Sequence, residues 1–191
     1  MASSPPAVLS IAGSDSGGGA GIQADLKAFA RCGVHGMTAI TALTAQNTLG
    51  VTGVHTVPPA FIVEQVRAVA TDIGVDAVKI GMLGTAETVA AVAEALDLLP
   101  AGTPIVIDPV MVAESGAVLL DDDARGALVD RLLPRATVIT PNLPEARVLA
   151  GPQAPQDVEE LARALEWVQP EPWAAPSGWR GPVSVSSVVP S

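Results

Sequence analysis

Five short apolar runs, at 7–12, 37–44, 77–80, 104–107 and 137–140, alternate along the chain with helix-period segments at 20–32, 60–72, 86–98, 122–133 and 158–167. A strand too apolar to face water on either side, such as the run holding Val106 and Ile107 or the one holding Val138 and Ile139, needs cover on both faces. The intervening helices supply that cover. The pattern therefore predicts a layered α/β fold with a mostly parallel sheet, joined by right-handed crossovers, and ligands belong at the carboxyl ends of its strands. At 191 residues the chain is sized for one domain with a substantial core, though short for a complete doubly wound enzyme fold.

The first strand-to-helix junction is Ile11-Ala-Gly-Ser-Asp-Ser-Gly-Gly-Gly-Ala-Gly-Ile-Gln-Ala-Asp25, with five glycines. Residues without a Cβ let backbone amides approach a bound molecule, and the starting helix adds donors with no partner of their own. The stretch reads as a small-molecule site. A phosphate-binding P-loop would need Lys followed by Ser or Thr, and Ile22-Gln23 stands there instead. Gly19-Ala-Gly21-Ile-Gln-Ala24 fits a degenerate dinucleotide fingerprint, but the acid expected about 20 residues later is replaced by Thr44-Ala-Gln46-Asn47.

The charge balance, 20 acidic against 10 basic residues, argues against nucleic acid as a partner. It leaves phosphate ligands open, because helix N-termini and divalent cations bind them without a basic surface. No apolar run approaches the roughly 20 residues of a membrane span, and the opening residues carry no Lys or Arg, so a cytoplasmic protein without a membrane partner is expected. Cys32 is expected to be a buried packing thiol, and His35 and His55 to be structural residues in exposed connections. The excursion at 50–59 is expected to form a short edge strand or a flap.

Thr44-Ala-Gln46-Asn47-Thr48, Lys79-Ile-Gly81-Met82-Leu-Gly84, Asp108-Pro-Val-Met-Val and Thr140-Pro-Asn142-Leu-Pro-Glu145 follow the glycine-rich stretch in that order. Together these motifs resemble those of hydroxymethylpyrimidine and phosphomethylpyrimidine kinases of thiamine biosynthesis, in the ribokinase-like group. The resemblance runs from about Ala7 to Gly151 and more faintly to Trp167. It implies a three-layer α/β/α sandwich with the C-terminal part missing, and ATP-dependent phosphorylation of 4-amino-5-hydroxymethyl-2-methylpyrimidine or its monophosphate. A pyridoxine-type kinase, a catalytically inactive pyrimidine-binding fragment and a Rossmann-type dinucleotide-binding protein are the alternatives.

By the same resemblance Gly13, Asp25, Gln46, Gly81, Met82 and Val110 surround the pyrimidine, while Asn142 and Glu145 form a nucleotide-phosphate corner. Asp108 and Glu145 would hold Mg²⁺, being hard oxygen donors. A glutamine amide sets a donor beside an acceptor, matching a ring nitrogen and an exocyclic amine, which makes Gln46 the leading specificity residue. Each position also has a purely structural alternative. Gln46 and Asn47 could cap a strand end, Met82 and Val110 could be ordinary core, and Asp25 and Glu145 could be first-turn helix acids. Glu114 stands where the resembling kinases commonly show Lys.

In those kinases a glycine-rich Gly-Thr-Gly-Cys type segment supplies the anion hole, with Cys or Asp as base. No such segment follows Trp167, so no catalytic residue is identified. Two regions are expected: 1–167 as the N-terminal portion of a kinase domain, and 168–191 as a proline-rich irregular tail. From Gln169 to the end there are five prolines and two charged residues, a composition that supports neither helix nor central strand. The tail resembles out-of-frame translation, and a frameshifted or truncated kinase is the expectation. Loss of the later strands would leave a sheet edge and helix faces uncovered, which favours self-association, a homodimer included.

Overall fold

The structure is a computed structural model that describes residues 4–112 and 119–165. Expectations that concern Glu114 and residues 168–191 lie outside that range. The chain runs β1 (Ala7–Ala12), α1 (Gly21–Arg31), β2 (His35–Ile40), β3 (Ala42–Asn47), β4 (Gly50–Thr56), α2 (Pro59–Asp72), β5 (Ala77–Ile80), α3 (Ala86–Leu96), β6 (Ile105–Ile107), α4 (Asp122–Ala127), β7 (Val138–Ile139), α5 (Leu143–Ala150) and α6 (Val158–Leu165). After α4 the backbone continues in wider turns through Leu128–Leu132 and tightens over Leu133–Arg135, where Pro134 brings no amide donor to extend the helix.

Five strands form one sheet in the order β2-β1-β5-β6-β7, and every neighbouring pair is parallel. The order is that of a doubly wound sheet that reverses direction between β1 and β5, and the crevice at such a reversal is where ligands bind. Gly13, which ends β1, and Gly81-Met82, which end β5, flank that crevice.

One sheet face carries the main core. Leu9 and Ile11 of β1, with Val78 and Ile80 of β5 and Ile107 of β6, pack against Ile62 and Val66 of α2, Val89 and Val92 of α3, and Leu128 and Leu132. Each such side chain contributes about 1.5–3 kcal/mol when buried. The opposite face is covered over β2 by α1, whose Leu26 and Phe29 rest above Gly36. A smaller core of Ala146, Leu161 and Leu165 gathers around Ile139 where α5 packs on α6. The expected α/β sandwich with a parallel central sheet is what the chain forms.

Three expectations are corrected at particular residues. The run 37–44 is two strands, because the chain leaves the main sheet at Thr41. Thr41 is fully buried, its hydroxyl donates to the Met82 carbonyl at 2.7 Å and its carbonyl accepts from Val57. From there β3 pairs antiparallel with β4 as a separate two-stranded ribbon. The excursion at 50–59 is thus the second strand of that ribbon. Cys32 is exposed rather than buried, since it caps the C-terminal end of α1 beyond the packed stripe of Ile22, Leu26 and Phe29. His35 and His55 are exposed as expected, but on β2 and β4 rather than in connections.

Candidate functional site

The glycine-rich turn is organised by its own acid. Asp15 is buried, and its carboxylate accepts from the amides of Gly17 at 2.7 Å and of Gly19 and Ala20 at 2.8 Å. Burial pushes the carboxyl pKa up, but the amides of Gly17, Ala20, Gly19 and Gly18 outweigh it and hold the value below the ordinary one. The donors expected to surround a ligand are therefore occupied by Asp15. A phosphate at this loop would meet a carboxylate, so neither P-loop nor dinucleotide chemistry suits it.

The turn closes on Gly13. Ile22 donates its amide to the Gly13 carbonyl at 3.0 Å. Gly21 has φ +55° and a Cβ there would stand 2.3 Å from that carbonyl oxygen, so only glycine fits. A Cβ on Gly13 would meet the Met82 methyl at 2.5 Å, which places the β1 and β5 ends in direct contact.

Beside the turn lies a cavity of about 420 Å³ lined by Asp15, Gly17, Gly19, Gln46, Asn47 and Val51. Gln46 belongs to the ribbon rather than to the end of a main-sheet strand. Its backbone is fixed by Ser16, whose hydroxyl accepts the Gln46 amide at 2.7 Å and donates to its carbonyl at 2.6 Å. The side-chain Oε1 lies 3.3 Å from the Thr44 hydroxyl, which is also 2.8 Å from the Ser14 carbonyl. The Gln46 amide nitrogen has no hydrogen-bond partner among the described residues. A larger groove, about 780 Å³, runs between α2 and α3, but no residue implicated by the sequence lines it and two of its arginines are paired, Arg67 with Glu64 and Arg135 with Asp97.

The remaining implicated residues form a second group on the sheet face that carries α1. Asp25 is the fifth residue of α1, beyond its first turn, so the macrodipole does not account for it. Its Oδ2 accepts from the Ser10 hydroxyl at 2.6 Å and its Oδ1 stands 3.3 Å from Lys79 Nζ. The same ammonium is 3.6 Å from Asp108. Burial pushes the Asp108 carboxyl up, Lys79 pulls it down and Asp25 pushes it up again, with a net rise. Gly81 makes room for this group, since a Cβ there would be 3.0 Å from Lys79 Nζ. Val110 follows closely, donating its amide to the Asp108 carbonyl at 2.8 Å.

Glu145 is buried and is the third residue of α5, where it closes a capping box. It accepts from the Asn142 amide at 2.9 Å, and Asn142 Oδ1 accepts from the Glu145 amide at 2.9 Å. Its other oxygen accepts from the Met111 amide at 3.3 Å. Burial raises the Glu145 pKa, the Asn142 and Met111 amides oppose the rise, and the nearby Asp108 charge adds to it. The helix-supporting alternative for Glu145 is thus realised in full. No cluster of three or more His, Cys, Asp or Glu suited to a metal exists among the described residues.

Sequence reasoning did not assign Lys79, Ser10 or the loop-closing role of Asp15. For Lys79 a signal was present: a lysine inside the apolar strand Ala77-Val-Lys79-Ile80, covered on both faces, requires a partner of opposite charge.

The family model described as phosphomethylpyrimidine kinase matches residues 15–171. A hydroxymethylpyrimidine/phosphomethylpyrimidine kinase of Mycobacterium leprae is 50% identical over 84% of this chain and 58% of its own length. The protein of that name from Rhizobium meliloti is 54% identical, with 83% and 59% covered. The chain therefore spans less than two thirds of the length of these curated relatives. The crystal structure of phosphomethylpyrimidine kinase from Clostridium difficile superposes with TM-score 0.78 at 44% identity, covering 85% of this chain and 70% of the other. Pyridoxal kinase from Staphylococcus aureus, in complex with AMP-PCP and pyridoxal, superposes with TM-score 0.72 at 37% identity, covering 87% and 59%. A family model that matches residues 15–171, with relatives 50% and 54% identical over more than four fifths of the chain, shows that the chain belongs to the phosphomethylpyrimidine kinase family.

Proposed function

We propose that this chain binds 4-amino-5-hydroxymethyl-2-methylpyrimidine, free or as its monophosphate, and provides the substrate side of an ATP- and Mg²⁺-dependent phosphotransferase of thiamine biosynthesis. The observation that carries this reading is Gln46, which lines the cavity beside the glycine turn with its Oε1 near the Thr44 hydroxyl and an amide nitrogen that bonds to none of the described residues. Its donor and acceptor suit the aminopyrimidine edge, while Gly13 and Met82 at the sheet reversal offer an apolar surface for the ring.

Asp108 and Glu145 fit a divalent cation as donors, because Mg²⁺ takes one or two carboxylates and completes its shell with water and phosphate. Mg²⁺ bound there would neutralise phosphate charge, with Glu145 reaching it through water while keeping its cap. Asn142 would lie at the same phosphate corner. The second reading, a pyridoxal-type kinase, draws on the likeness to the Staphylococcus aureus enzyme.

Isothermal calorimetry on the 191-residue chain separates these readings. The pyrimidine is expected to bind more tightly than pyridoxal, and Gln46→Ala to weaken it by about 1–3 kcal/mol, the cost of leaving a buried polar group of the ligand unpaired. Absence of pyrimidine binding, or an unchanged Kd in Gln46→Ala, overturns the assignment. Product formation from ATP and Mg²⁺ is expected to be at least about 10²–10³ below that of a full-length relative, since the 191 residues contain no Gly-Thr-Gly-Cys segment to supply the anion hole. Turnover at the rate of a full-length relative would show that another part of the chain supplies it.

A further inference from the structure

Lys79 is the one charged residue of β5, a strand in the middle of the sheet whose other residues are Ala77, Val78 and Ile80. Its register neighbours are Ser10 on β1 and Val106 on β6, so its side chain rises on the face covered by α1. There the ammonium stands between two carboxylates, 3.3 Å from Asp25 and 3.6 Å from Asp108, and all three side chains are largely shielded, 23%, 15% and 35% exposed. The missing Cβ of Gly81 leaves the space that the ammonium fills.

These two neighbouring carboxylates have different roles in the proposed site, Asp25 toward the pyrimidine and Asp108 toward the metal and phosphate. At partial burial, two like charges facing one another disfavour the arrangement by several-fold in any equilibrium that requires both. A compact ammonium on a flexible stem reaches both and offsets one of the two charges, in a space beside Gly81 too narrow for the wider, planar guanidinium of an arginine to fit as well. Ser10 completes the arrangement by fixing the second oxygen of Asp25 at 2.6 Å.

Resting on the pyrimidine reading above, we propose that Lys79 is a positioning residue: its ammonium shields Asp25 from Asp108 and thereby holds the Asp25 carboxylate in the orientation that receives the pyrimidine. Lys79 does not touch the substrate in this arrangement. Its effect on binding passes through the repulsion it suppresses, and that makes it separable from packing.

The test is calorimetric titration of 4-amino-5-hydroxymethyl-2-methylpyrimidine into the full 191-residue chain, in buffer without divalent cation. Lys79→Met is expected to raise the Kd at least tenfold and Lys79→Arg by about threefold. Adding Asp108→Asn to Lys79→Met removes the charge that repels Asp25, and is expected to return the Kd to within about threefold of the parent. A residue that served only to fill space would not be rescued by losing a charge elsewhere. Should Lys79→Met fail to fold, Lys79→Gln, which keeps a polar end without the charge, is read by the same numbers with and without Asp108→Asn. A Kd within twofold of the parent in the lysine variant, or no rescue by Asp108→Asn, overturns the proposal. If the parent binds pyrimidine and Gln46→Ala weakens it while the lysine variant does not, only the role of Lys79 falls. If the parent does not bind, the pyrimidine reading falls and this one with it.

Discussion

Asp15 shows how one side chain sets the shape of a segment that has little else to hold it. Glycine gives the turn between β1 and α1 its conformational range, and the carboxylate selects one conformation by accepting three amides. Asp15→Ala is expected to lower stability by about 1–3 kcal/mol in urea unfolding, moderated because Gly17 and Gly19 are exposed to water. The pH dependence has a defined sign. The folded pKa is depressed below the ordinary carboxylate value, so Asp15 adds stability above that ordinary value, and the contribution is lost as pH falls through the folded pKa. Asp108 and Glu145, with raised values, act oppositely: stability falls as pH rises from the unfolded value through the folded one. Unfolding of the parent and Asp15→Asn between pH 5 and 2 should therefore converge toward low pH. Gly21→Ala is expected to cost about 2–4 kcal/mol, since it combines positive φ with a backbone clash at Gly13; a Tm equal to the parent's would refute that geometry.

Among the elements, α5 is absent from the five helix-period segments read in the sequence, and only its first turn was anticipated, as the structural alternative for Glu145. Asn142-Leu-Pro-Glu145 contains a cap, a proline in the first turn and an acid three residues after the cap, and each takes the place that local chemistry assigns it. Asn142→Ala is expected to lower stability by about 1 kcal/mol, with Asn142→Asp close to the parent; if Asn142 served only a nucleotide, urea unfolding without ligand would show no change. The main strands were legible, because continuous apolar runs leave few other arrangements. The division of 37–44 was not. It depends on Thr41 finding Met82 and Val57, partners distant in sequence that no local pattern announces. The candidate site divides in the same way. Gly13, Gly81, Asp108 and Asn142 follow strand ends that could be read from the sequence, whereas the pairing of Asp25 with Lys79 required the sheet register. Cys32 was misread because its helix ends one residue before it.

For the molecule as a whole, the described core draws its apolar side chains from Ala7 to Leu165. Deleting 168–191 is therefore expected to move Tm by no more than about 2 °C, as read by differential scanning calorimetry, because the sequence there offers no periodic apolar face. A larger drop would show that those residues pack against the domain. The sheet order carries a further consequence, for synthesis. β1 is made first but sits between β2 and β5, and its start is joined to the far side by the Ala7 amide and the Asp76 carboxylate, 69 residues apart. At about 5–20 residues per second, the ribosome delivers that partner roughly 3–14 s after β1 emerges. During that interval one edge of this mostly buried strand is unpaired, and β2, the next strand to emerge, can cover only the other. The nascent chain thus passes through a stage that invites strand addition by a neighbour, and slowing translation between β2 and β5 should lengthen its exposure to holding chaperones.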